Sequence, residues 1–107
     1  MKYESFEKMI NCLDEIKKES DRFNKGLQNL LGGDTYSMYY TTEEIYEKCI
    51  IDVLISEFGE SKEGADWFVY EGLTQIKDGG TSITENNKKW KIKNIKDYYN
   101  YLVSLQK

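Results

Sequence analysis

The sequence contains no histidine and no proline, only two cysteines, and no long uninterrupted apolar run. Without His, the Ser–His and Cys–His nucleophile pairs, most zinc sites and the commonest general base are excluded. Cys12 and Cys49 sit inside helical patterns without a paired metal-ligand spacing, which predicts buried, reduced thiols. No GxxxxGK[ST] or GxGxxG string is present, and Gly32–Gly33 and Gly79–Gly80 lack the helix-opening context of a phosphate loop. The absence of Pro removes one common marker of linkers, and neither an internal repeat nor a low-complexity tract divides the chain. No stretch is apolar enough for a membrane span, and the N-terminus, MKYESFEKMINC, mixes charges with apolar residues where a signal peptide would be continuously apolar. These absences predict a soluble, cytoplasmic protein with no membrane contact, no cofactor, no bound metal and no catalytic residue.

What is present is a chain of 107 residues, read as a single domain over 1–107 and long enough to bury roughly 65% of its unfolded surface. Its nine tyrosines exceed what a small core needs, so some must lie at the surface. The net charge of −4 is unevenly spread. Residues 1–33 are balanced, residues 34–80 hold eleven acids against Lys48, Lys62 and Lys77, and residues 81–107 hold six lysines against Glu85 and Asp97. An acidic block of this kind is a solvated surface or a field that steers a basic partner.

The stretch Thr41–Gly59 is the least able to remain in water. Ile45, Cys49, Ile50, Val53, Leu54 and Phe58 repeat at helical spacing, and Ile51 and Ile55 widen the stripe, which predicts a central helix over 41–58 with neighbours on more than one side. Thr41 and Glu44 form a capping-box pattern, and Gly59 supplies the left-handed stop. Before it, Phe6, Met9, Leu13, Ile16, Phe23, Leu27, Leu30 and Leu31 predict one long helix from Tyr3 to Leu31, whose N-terminal turns project or which breaks near Ser20–Asp21. The loop 34–41 carries Tyr36, Met38, Tyr39 and Tyr40, either folded over the end of the core or offered as a binding surface.

After the central helix, ESKEG reads as a polar connection and Ala65–Ile76 as a helix weakened by Gly72. TSITENNKKWKIK then reads as a hairpin with an Asn86–Asn87 type I′ turn. That turn pairs Glu85 with Lys88, Ile83 with Trp90 and Thr81 with Ile92, so Lys89, Lys91 and Lys93 face away from the apolar side. Asn94 caps a last helix that buries Ile95, Tyr98, Tyr99, Leu102 and Val103. The fold class expected is α+β and mostly helical: about four helices around the central one, with one β-hairpin over 81–92. A lone hairpin is marginal in water, so this one must pack on helices.

Carboxylate chemistry has Asp66 and Glu71 as its best candidates, Glu71 lying one turn after Trp67 in an apolar stretch that would raise its pKa. Nothing converges on them, which favours a structural role. Trp67, Tyr70 and Glu71 are also the candidates for a small-ligand pocket against the hairpin. Lys88, Lys89, Lys91, Lys93 and Lys96 around Trp90 are the candidates for a nucleic-acid face, but Trp90 falls on the core side and the acidic balance argues against such a partner.

At DWFVYEGL and KKWKIKNIKDYYNYL the chain resembles small proteins of phages and prophages of low-GC bacteria. The resemblance covers about 40 residues and rests on Asp66, Trp67, Tyr70 and Glu71, then Trp90, Ile92, Asp97, Tyr99 and Leu102. It implies an accessory phage product, and by analogy an inhibitor of a host defence system of the anti-CRISPR kind acting in the host cytoplasm. The function expected is therefore a non-enzymatic, protein-binding domain contacting its partner through Tyr36, Met38, Tyr39, Tyr40, Glu43, Glu44 and Glu47. A small-ligand or nucleotide-binding accessory protein and a nucleic-acid-associated or minor structural phage protein are the alternatives. The sequence leaves the oligomeric state open.

Overall fold

A computed structural model describes residues 1–31 and 40–106, without the side chains of 23, 24, 27–31 and 40–42. The expected tyrosine loop at 36–39, the glycine pair 32–33 and the side chain of Tyr40 lie outside this description. The element order is α1 (Tyr3–Leu31), α2 (Tyr40–Phe58), α3 (Lys62–Trp67), a π-helical stretch (Phe68–Gly72), α4 (Leu73–Lys77), β1 (Thr81–Glu85), β2 (Lys88–Ile92) and α5 (Ile95–Leu105). The class is α+β and mostly helical, with one antiparallel hairpin. No described helix is long and apolar enough to cross a membrane.

Helix α1 runs unbroken through Ser20–Asp21. Its length, about 43 Å at 1.5 Å per residue, accounts for the elongated shape of 51 × 27 × 24 Å. The end expected to project was the N-terminal one, yet among the described side chains Phe6, Ile10 and Leu13 near that end are the fully buried ones, and Asp21, Arg22 and Lys25 are exposed. Phe6, Ile10 and Leu13 share one face at i, i+4 and i+7 spacing. The helix is anchored at its start, where the Tyr99 hydroxyl donates to the Met1 carbonyl at 2.6 Å.

Helix α2 begins at Tyr40, one residue before the expected Thr41, and packs against α1, α3, the π stretch and α5. It buries Glu47, Ile50, Ile51, Leu54 and Phe58. Ile45 and Cys49, expected in the core, are exposed, because the buried face is centred one position later, on Tyr46, Glu47 and Ile50. Cys12 is likewise exposed, so both thiols are free but neither is buried. Gly59 ends the helix at φ +71°, with its amide on the Ile55 carbonyl at 3.2 Å and the Glu60 amide on the Leu54 carbonyl at 3.1 Å.

The polar ESKEG segment is not a plain connection. Ser61 caps α3 by accepting from the Gly64 amide at 3.0 Å, so the helix starts at Lys62, before the expected Ala65. Its wider π turns carry Phe68, Val69 and Gly72 into the core, where Phe68 stacks on Tyr98 with ring centroids 3.8 Å apart. A Cβ at Gly72 would meet the Trp67 ring at 3.0 Å, a tight contact that glycine avoids. The hairpin has the expected register, Thr81 with Ile92, Ile83 with Trp90 and Glu85 with Lys88. Asn86 and Asn87 supply the positive φ values of 52° and 64° that its turn requires. Its inner face rests on α5 through Trp90 and Tyr101, whose ring centroids are 5.6 Å apart. Asn94 accepts from the Asp97 amide at 2.9 Å, and Asp97 in return accepts from the Lys93 amide at 3.0 Å, which starts α5 with a reciprocal cap.

Candidate functional site

One charged group is buried among the described residues, and it marks where α1, α2 and the π stretch meet. Glu47 is 5% exposed, and its carboxylate lies 3.2 Å from the Lys17 ammonium. Lys17 also donates to the Val69 carbonyl at 2.9 Å, inside the π stretch, and its ammonium sits 5.9 Å from the centre of the Tyr70 ring. Burial raises the Tyr70 pKa, and the neighbouring Glu47 carboxylate raises it further. Glu43, one turn before Glu47, is also pushed up, first by desolvation and then by the Glu47 charge. A side chain from each of three elements is thus pinned at one point. Lys17 satisfies a carbonyl of the π stretch, so the wider turn holds Tyr70 in a fixed position at the surface.

Tyr70 opens onto a groove of about 570 Å³ between α2 and the helix that follows. Its α2 wall is Glu44, Ile45, Lys48, Ile51, Asp52 and Ile55, and its other wall is Lys62, Asp66 and Tyr70. Ile45 is 60% exposed, Ile55 38% and Tyr70 57%; with Met1 these make up the large hydrophobic side chains exposed among the described residues. Single exposed apolar residues are ordinary, whereas here three of them gather in one groove. None of the five charges around them belongs to an ion pair within the described structure.

A second cleft, of about 510 Å³, lies between the hairpin and α3 and is lined by Glu60, Trp67, Gln75, Thr84, Glu85 and Tyr101 among others. Burial raises the Glu60 pKa, and the charge of Glu85 adds to this against the Ser61 amide, which donates at 2.9 Å and lowers it. The Tyr101 hydroxyl donates to Glu85, and the Tyr98 hydroxyl to Glu60 at 3.4 Å. Both hydroxyls are pushed well above the ordinary tyrosine range, Tyr98 and Tyr101 each first by desolvation. The Tyr101–Glu85 bond ties the hairpin to α5, and the Tyr98–Glu60 bond ties α5 to the segment after α2.

The residues singled out in the sequence are therefore dispersed. Trp67 lines the hairpin cleft, Tyr70 faces the groove on another side, and Glu71 is exposed, so the three do not form one pocket. Glu44 and Asp66 stand at the groove, but Glu47 is buried and is not free to steer a partner. Lys88, Lys89, Lys91, Lys93 and Lys96 are all exposed. Trp90, however, is half-buried against Tyr101, and the Lys88 ammonium lies 4.1 Å from its ring centre, which leaves no free stacking platform. Ile45, Ile55, Lys17, Glu60 and Glu85 carry the surface features that sequence reasoning missed. Among the described residues no group of three or more His, Cys, Asp or Glu side chains is arranged to hold a metal.

No family model matches this chain, and neither does any curated protein or solved structure.

Proposed function

We propose that the protein is a non-enzymatic binding domain that engages another protein through the groove between α2 and the π-turn helix. The observation that carries this reading is the gathering of Ile45, Ile55 and Tyr70 in one groove with uncompensated charges at its edge. An apolar centre with a charged rim is the make-up of protein interfaces. The tyrosines 36, 39 and 40 and Met38 lead directly into the start of α2 and extend the same acidic segment in sequence. The resemblance to phage and prophage products supports a host protein as partner, met in the host cytoplasm. Inhibition of a defence system is the activity that follows by analogy.

The test is capture from lysate of a low-GC bacterium, identification of the bound protein, and titration with that protein in purified form. Ile45→Asp/Ile55→Asp should weaken binding at least about 30-fold, as loss of a hot spot does, while Lys89→Glu/Lys91→Glu should leave it unchanged. The opposite result would move the interface to the hairpin.

A second reading, a small cationic ligand in the hairpin cleft, is favoured by Glu60 and Glu85, which converge there beside Trp67 with no ion pair among the described residues. A thermal-shift series with arginine and spermidine tests it. Stabilisation lost in Glu85→Gln supports it, and no shift with either cation removes it.

A further inference from the structure

Helix α2 presents Ile45, Lys48, Asp52 and Ile55 to the groove. Their spacing of three, four and three residues is that of alternating a and d positions in a coiled-coil seam. In an antiparallel pair of helices, a positions of one chain meet d positions of the other. If two copies of α2 are laid antiparallel about a two-fold axis at Ile50, Ile45 meets Ile55 of the second copy, and Lys48 meets Asp52. Each match occurs twice by symmetry, so the seam is complementary to itself in shape and in charge. We propose that the groove is occupied by α2 of a second copy of this chain, forming a two-fold dimer with apolar contacts at the ends of the seam and reciprocal Lys48–Asp52 pairs at its centre. This rests on the reading that the groove binds protein: in the free protein a second copy covers the face, and a host partner would bind there in its place.

Two observations support it. Lys48 precedes Asp52 by four residues, the less favourable order for a pair within one helix, and the two make no ion pair in the monomer. Their charges are thus left for an external partner of the opposite order, which an antiparallel copy provides. The seam spans about 15 Å at 1.5 Å per residue, close to three turns. A partner helix of that length would lie between α2 and the wall formed by Lys62, Asp66 and Tyr70. One helix pair with such flanks is at the small end of specific interfaces, so the dimer should depend on concentration.

Sedimentation velocity across a wide concentration range tests the proposal. Wild-type protein should pass from monomer to dimer as concentration rises. Lys48→Asp and Asp52→Lys should each weaken association about tenfold or more, because like charges then face each other, and the double exchange Lys48→Asp/Asp52→Lys should restore it. Register is read separately, with Cys12 and Cys49 replaced by Ser. Ile45→Cys/Ile55→Cys should then form an interchain disulfide dimer by exchange with oxidised glutathione, and Ile45→Cys alone should not, since the two copies of residue 45 are about 15 Å apart. A protein that stays monomeric at every concentration, or a dimer that the double exchange fails to restore, overturns the proposal. If the protein is monomeric and Ile45→Asp/Ile55→Asp still abolishes binding of a captured protein, the binding reading stands and only the second-copy occupant is lost.

Discussion

At the scale of single residues, the Lys17–Glu47 pair is the strongest electrostatic commitment of the fold, and its two halves are unequal. The Glu47 side chain is only 7% exposed, whereas Lys17, at 27%, can turn its ammonium outward along a flexible stem. Lys17→Met leaves a carboxylate buried without a partner and should destabilise by about 3 kcal/mol. Glu47→Leu leaves a cation that can reach water and should cost only about 1–2 kcal/mol. Urea titrations of the two variants should show that order, and the reverse order would mean that the pair is not shielded as described. Gly72 gives a second residue-level expectation. Alanine is the better helix former by about 1 kcal/mol, yet its Cβ would press on the Trp67 ring, so Gly72→Ala should destabilise by about 1–3 kcal/mol. A stabilised Gly72→Ala protein would show that Trp67 yields freely.

At the scale of elements, the hairpin was the most legible part of the chain. Alternation on both sides of Asn86–Asn87 leaves one register that keeps Ile83, Trp90 and Ile92 together, and a slip by one residue would put Ile83 on the opposite face from Trp90 and Ile92. The packing of that face is less complete than its pattern implies, since Trp90 is only half-buried. Trp90→Ala should therefore cost about 2–3 kcal/mol, below the range for a fully buried aromatic, as measured by thermal or urea unfolding. A loss below 1 kcal/mol would show that Trp90 contributes little to holding the hairpin. The helices were legible in existence and less so in phase. In α2 nearly every position of the stripe is apolar, so periodicity alone did not tell whether Ile45 or Glu47 faces inward. The deciding fact, a lysine of α1 waiting for Glu47, is a tertiary contact between residues 30 positions apart. The π stretch was invisible for a similar reason. Gly72 marked the place, but the need for it comes from Trp67 and Phe68 packing around it. The candidate site suffered most, because a residue becomes a surface feature only when the fold declines to bury it, as with Ile45 and Ile55.

At the scale of the whole molecule, two carboxylates set opposing pH dependences. The hydrogen bond and charge of Lys77 hold Asp14 below its ordinary pKa of 3.8. That contribution is present above the unfolded value and is lost as pH falls through the lower folded value. Burial raises Glu60 above its ordinary 4.5, so the folded state binds the proton more tightly and stability falls as pH rises from about 4.5 through the folded value. At neutral pH Asp14→Asn should lower Tm and Glu60→Gln should raise it. Both differences should shrink toward zero as pH falls below the values concerned. Thermal melts across pH check the pair of signs, and a Glu60→Gln protein that melts below wild type at neutral pH would refute the desolvation of that carboxylate.

The groove between α2 and the π-turn helix is tested most directly by measuring stability and association on the same Ile45→Asp/Ile55→Asp protein. Ile45 is 60% exposed and Ile55 38%, and neither belongs to the buried core, so their replacement opens no cavity there. The expected result is a Tm within a few degrees of wild type together with loss of self-association and of binding to any captured protein. A variant that unfolds, or one that associates as wild type does, would show that these residues belong to the core or to an inert surface, and that the contact face of the molecule lies elsewhere.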